Sequence, residues 1–73
     1  MMMKKEIPIQ GEFIRLDALL KLSGLCMTGG HAKIVIQNGE VTVDGEICRM
    51  RGKKIRPGET VYFENCELSV YEN

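Results

Sequence analysis

The apolar positions of this chain change period twice. Residues 4–9 (Lys-Lys-Glu-Ile-Pro-Ile) alternate as a short strand does, and Pro8 places that strand at a sheet edge, where a missing N–H is tolerated. Leu16, Leu19 and Leu20 then recur at i, i+3 and i+4, one face of a helix, and predict a helix over about 15–23. Asp17 and Lys21 sit one turn apart on its surface, acid first, the favourable order. Gly24 supplies the left-handed residue that ends it. After a tight connection, Thr28 is a good N-cap for a second helix running to about Asn38, with Gly39 as its stop. Ala32, Val35 and Ile36 form its core stripe, and Gly30, Lys33 and Gln37 its polar face.

The period falls to two beyond Gly39. Val41-Thr42-Val43, Asp44-Gly45 and Glu46-Ile47-Cys48 read as a hairpin with a two-residue type I′ turn. That turn sets Val43 opposite Glu46, Thr42 opposite Ile47 and Val41 opposite Cys48. One face then carries Val41, Val43, Cys48 and Met50, the other Ile47, Arg49 and Arg51. Pro57-Gly58 predicts a type II turn into a strand from Thr60 to Glu64. Asn65-Cys66 reads as the turn into Glu67–Val70, pairing Val61 with Val70 and Phe63 with Leu68. Tyr62, Glu64, Glu67 and Ser69 fall on the other face.

Seventy-three residues suffice for one small domain, 1–73, with a core over 15–64, the edge strand 4–9 and a C-terminal hairpin over 60–71. A domain of this size buries only about 60% of its unfolded surface, too little to enclose a deep cleft with a catalytic shell. A binding module is therefore expected rather than an enzyme. His31, the only histidine, has no Ser, Cys or Asp at triad-like spacing.

Ten bases balance ten acids, yet Arg49, Arg51, Lys53, Lys54 and Arg56 fall within eight positions that hold no acid. After Arg56 come Glu59, Glu64, Glu67 and Glu72 and no further base. A polyanion responds to such a local field rather than to net charge; a solvated, solubilising hairpin is the plainer reading of the same residues. Cys26, Cys48 and Cys66 are odd in number and form no CxxC pair. The start, Met1-Met2-Met3-Lys4-Lys5-Glu6, lacks an apolar run, so reduced thiols in a cytoplasm are expected, with no membrane span. A zinc site built from Cys26, His31 and another cysteine fits no standard spacing, and no metal or cofactor is expected.

Two features could hold phosphate. Arg49 and Arg51, two apart on a predicted strand, would emerge from one face about 7 Å apart, a separation comparable to neighbouring phosphates. Lys53 and Lys54 follow Gly52, where the chain can bend toward a ligand; arginine adds bidentate phosphate contacts. The second feature is Thr28-Gly29-Gly30 at the start of helix two, with free amides at the positive helix end. A plain helix start is the stronger reading of those glycines alone, and Lys33 one turn on strengthens the other.

The stretch from Arg15 to Glu64 resembles the RNA-binding domain of the small-subunit ribosomal protein four type, the αL motif. The resemblance rests on Arg15-Leu16-Asp17, Ala32-Lys33, Gly39-Glu40-Val41-Thr42-Val43-Asp44-Gly45 and Pro57-Gly58-Glu59, in order and covering about two-thirds of the chain. It is similar above all to the small stand-alone bacterial members, in Thr28-Gly29-Gly30-x-Ala32-Lys33 and Arg49-x-Arg51-Gly52-x-Lys54. Many members carry an RNA-contacting arginine just before the second helix, where Gly29 stands here, so helix-end amides and Lys33 would replace that side chain.

The resemblance implies an α+β fold, two short packed helices against a small, mostly antiparallel sheet of about five strands. It implies binding of structured RNA, ribosomal or transfer, through Arg49, Arg51, Lys53 and Lys54, with Lys33, Gly29, Gly30 and Arg15 contributing from the helical side, and a monomer is expected. Sparse, unclustered aromatics favour recognition of shape and backbone over single-strand base reading. The second reading is a protein-interaction adaptor of ribosomes or RNA-processing enzymes, whose acidic C-terminal hairpin meets a basic partner.

Overall fold

A computed structural model describes residues 3–73. The fold is α+β: β1 (Met3–Ile9), β2 (Ile14–Arg15), α1 (Leu16–Leu22), α2 (Gly29–Gln37), β3 (Thr42–Val43), β4 (Glu46–Ile47), β5 (Lys54–Ile55), β6 (Thr60–Phe63) and β7 (Cys66–Glu72). Five strands form one sheet in the order β1-β7-β6-β3-β4, antiparallel except that β1 runs parallel to β7. The strands β2 and β5 form a separate antiparallel ribbon.

Local chemistry sets the helix ends. The Thr28 side chain accepts the His31 N–H at 3.1 Å, and Gly24 and Gly39 take φ of 85° and 78° past the two helices. Ser23, at the end of α1, is held by its hydroxyl donating to the Leu20 carbonyl, and its own carbonyl accepts the Lys5 ammonium at 3.0 Å. A cation at the negative end of a helix is favourable, and this one ties β1 to α1.

The core joins both predicted helix stripes to the inner sheet face. Leu16, Leu19, Leu20, Ala32 and Ile36 are wholly buried, as are Val41, Val61 and Leu68 from the strands and Ile55 from the ribbon. Each large side chain so buried contributes roughly 1.5–3 kcal/mol. Cys26 and Cys66 lie in this core and Cys48 at its margin. Burial, and secondarily the charge of Glu64, pushes the Cys26 thiol pKa upward.

The strand β1 lies at the sheet edge, as Pro8 requires. Met3 N–H donates to Asn65 and Asn73 N–H to the Ile9 carbonyl, so odd-numbered residues of β1 face β7. The nitrogen of Pro8 therefore points away from the ladder, where no hydrogen bond is lost.

Asp44 and Gly45 have φ of 50° and 88°, and the register pairs Val43 with Glu46 and Thr42 with Ile47, as a type I′ turn dictates. Gly58, at φ 96°, and the Glu59 N–H donating to the Arg56 carbonyl close the Pro57-Gly58 turn. The last hairpin departs from expectation. Its turn is Glu64-Asn65, with φ of 49° and 61°, and Val61 pairs with Leu68 and Phe63 with Cys66. Asn65-Cys66 is not the turn, because Cys66 is needed as a buried strand residue. The shift is two residues, one full strand period, so Val61, Phe63, Leu68 and Val70 still face the core.

Candidate nucleic-acid interface

The segment expected to be a basic strand is a loop. Strand β4 stops at Ile47, the Cys48 N–H still donates to the Val41 carbonyl at 3.0 Å as the hairpin register expects, and residues 49–53 carry no strand pairing. A turn over Met50–Lys53 is closed by the Lys53 N–H donating to the Met50 carbonyl at 3.1 Å. Arg49 and Arg51 therefore do not emerge side by side from one strand face. Met50, expected to face inward, is 67% exposed.

The cause lies in α1. Its N-cap, Arg15, offers no side-chain cap, leaving first-turn amides in search of acceptors. The loop supplies them: Leu16 N–H donates to the Lys53 carbonyl at 2.9 Å and Asp17 N–H to the Arg51 carbonyl at 3.1 Å. The backbone of the basic loop is thus pinned across the start of α1. The side chains of Arg49, Arg51, Lys53 and Lys54 remain exposed. Among the described residues the ion pairs are Lys4–Glu67 and Arg15–Asp17, so none of these four cations has an acidic partner.

Each predicted residue has a definite place. The Arg49 guanidinium lies against Gly39 beyond the C-terminal end of α2, so close that a Cβ at Gly39 would stand 2.8 Å from its Nη2. Arg49 and Lys53 line an open hollow of about 480 Å3, shared with Ile47, Met50 and the acids Asp44, Glu46 and Glu59. Arg15 reaches its partner Asp17 at 3.3 Å and passes within 3.7 Å of where a Gly52 Cβ would stand. It thereby joins the loop to a groove of about 220 Å3 lined with Asp17, Ala18, Lys21 and Gly29. Lys54 holds its ammonium 4.9 Å from the centroid of the Phe13 ring.

The start of α2 is more modest than its glycines suggest. The His31 amide is taken by Thr28, leaving the Gly29 and Gly30 amides without an acceptor among the described residues. Gly29 lines the groove with Arg15, whereas Gly30 and Lys33 line neither hollow. A Cβ at Gly29 would meet nothing within 4 Å, so the glycine leaves open a place that a side chain could fill.

Two further residues, neither marked by motif or charge cluster, stand at this surface. Asp17, one turn before Lys21, bonds Arg15 instead, and Lys21 faces the groove. Phe13, 40% exposed, lies outside every periodic segment and became visible only through its contact with Lys54.

The chain is 40% identical over 57 residues to "Putative RNA-binding protein YbcJ" of Escherichia coli, covering 78% of this chain and 81% of that protein. It is 37% identical over 62 residues to "Probable ribosome maturation protein RlbA" of Bacillus subtilis, covering 85% and 87%. The family model described as the S4 domain matches residues 7–71, which takes in both helices, the pinned loop and most of the sheet. This chain belongs to the S4 domain family.

Proposed function

We propose that this protein is a non-catalytic RNA-binding module that grips the backbone of structured RNA with its pinned cationic loop. One observation carries the reading. Arg49, Arg51, Lys53 and Lys54 are exposed and without acidic partners among the described residues, on a backbone immobilised against α1. Cations held in place lose less entropy on meeting phosphates than cations on a mobile segment. Arg15, Lys21 and the Gly29 and Gly30 amides continue the surface toward the start of α2, and Lys33 stands apart on the exposed face of that helix. S4 domain membership and the relatives' names support RNA as the ligand, and the Bacillus name favours ribosomal over transfer RNA. The protein would act in the cytoplasm as a monomer.

The adaptor reading ranks second. Glu59 and Glu67 are engaged within the chain, which weakens an acidic docking face. What favours a protein partner is instead Ile47 and Met50, exposed beside the larger hollow.

The test is a salt titration of binding to a ribosomal RNA fragment. With about four phosphate contacts, log K should fall by about three units per decade of salt. Arg49→Ala with Arg51→Ala should flatten that slope by about 1.4–1.8. A double variant with the wild-type affinity and slope would put the adaptor reading first.

A further inference from the structure

The ribbon of β2 and β5 carries an arrangement that backbone gripping alone leaves unexplained. Its register sets Arg15 directly opposite Lys54 and Ile14 opposite Ile55. Cross-strand partners share a face, and Ile55 is wholly buried, so Arg15 and Lys54 stand together on the outer side. Like charges directly opposite one another on an antiparallel pair are destabilising. Asp17 relieves Arg15 from one side, while among the described residues Lys54 has only the Phe13 ring. That ring is itself 40% exposed, and an anion between the two cations would remove their repulsion.

Resting on the RNA reading above, we infer that Phe13, Arg15 and Lys54 form a seat for one unpaired nucleotide of the bound RNA. Its base stacks on the uncovered part of the Phe13 ring and its phosphate lies between Arg15 and Lys54. The unpaired state follows from geometry. In an A-form duplex every base face is covered by its neighbours, and only edges, 2′-hydroxyls and phosphates are presented. A ring beside two phosphate ligands is of use only to a base that has left the stack, and any base serves, because each has a π-face. The ligand class is therefore structured RNA with a bulged or looped-out nucleotide beside a helix. Identity of that base is not read, since no side-chain amide or carboxylate other than the engaged Asp17 lines the adjoining groove.

The experiment compares a fully paired RNA hairpin with the same hairpin carrying one unpaired nucleotide. Both are titrated with the full chain as wild type, Phe13→Leu and Phe13→Trp. Wild type should prefer the bulged RNA by about tenfold, the scale of one base–aromatic stack. Phe13→Leu keeps an apolar side chain without a π-face. It should keep the affinity and salt slope for the paired hairpin and lose the preference, which Phe13→Trp should restore. Binding of both RNAs without a preference, or a preference that survives in Phe13→Leu, overturns the seat and leaves the backbone-gripping reading standing. Failure to bind either RNA overturns both.

Discussion

The segment from Arg49 to Arg56 and the segment from Glu59 to Glu72 carry opposite charge, and the fold employs the two sets differently. Glu59 and Glu67 are drawn into internal bonds. A Glu59 carboxylate oxygen accepts the Arg56 N–H at 2.7 Å, bracing the Pro57-Gly58 turn, and Glu67 accepts the Tyr62 hydroxyl at 2.7 Å with Lys4 at 3.9 Å. Two bases of the basic segment are handled in the reverse way: the Arg51 and Lys53 carbonyls are bonded to α1 and their side chains are not. Zero net charge thus conceals a division of labour. Among the described residues two of the acids brace the protein, while the side chains of Arg49, Arg51, Lys53 and Lys54 have no acidic partner. Equal numbers of acids and bases do not neutralise a surface when the two signs are segregated along the chain.

The sharpest way to break this contrast is to reverse the loop. Arg51→Glu with Lys53→Glu should weaken RNA binding by about thirtyfold or more at about 0.1 M salt, since two counterion-releasing contacts are lost. The midpoint of thermal unfolding should barely move, because both side chains are exposed and only their carbonyls are structural. A large fall in Tm without a loss of affinity would invert the assignment.

On the acidic side the expectation is the mirror image. Glu59→Ala removes the acceptor of the Arg56 N–H and should cost about 1 kcal/mol, or roughly 4–8 °C in Tm. Its RNA affinity should equal the wild-type value or slightly exceed it, because a negative charge near the loop has gone. Melting curves and a binding titration on the same preparation check both halves.

The smallest effect is spectroscopic. The hydrogen bond to Glu67, then burial and the charges of Glu67 and Asp44, hold the Tyr62 phenol above the ordinary tyrosine pKa. The folded value exceeds the unfolded one, so the protonated phenol contributes its stability in full below the ordinary tyrosine pKa. That contribution is lost as pH rises through the raised folded value. In a Tyr71→Phe background, ultraviolet titration should show Tyr62 ionising late and Glu67→Gln moving it back toward the ordinary range. No movement in Glu67→Gln would show that this acid is not engaged as described.

How much of this was legible in the sequence depends on the range of the forces involved. The Thr28 cap, the left-handed glycines after both helices and the Asp44-Gly45 turn are local: a few adjacent residues have one low-energy arrangement. Turn chemistry misplaced the last hairpin, since Glu64-Asn65 is less conspicuous than a turn with glycine. Even so, the core face came out right, because the apolar alternation of Val61, Phe63, Leu68 and Val70 tolerates a slip of two.

The candidate site was legible in composition and not in geometry. The sequence by itself determined that cations cluster over 49–56 and that two helices precede them, because charge spacing and helical period are properties of neighbouring residues. That its residues 49–53 form a loop, lying across the start of α1 beside Arg15, was decided only in three dimensions. The uncapped amides of Leu16 and Asp17 needed acceptors, and the chain that supplied them lies more than thirty residues away. The ribbon of Ile14–Arg15 and Lys54–Ile55 has the same origin. Two residues per strand are too few to show a period, and their pairing exists because Leu16 and Ile55 are buried in one core.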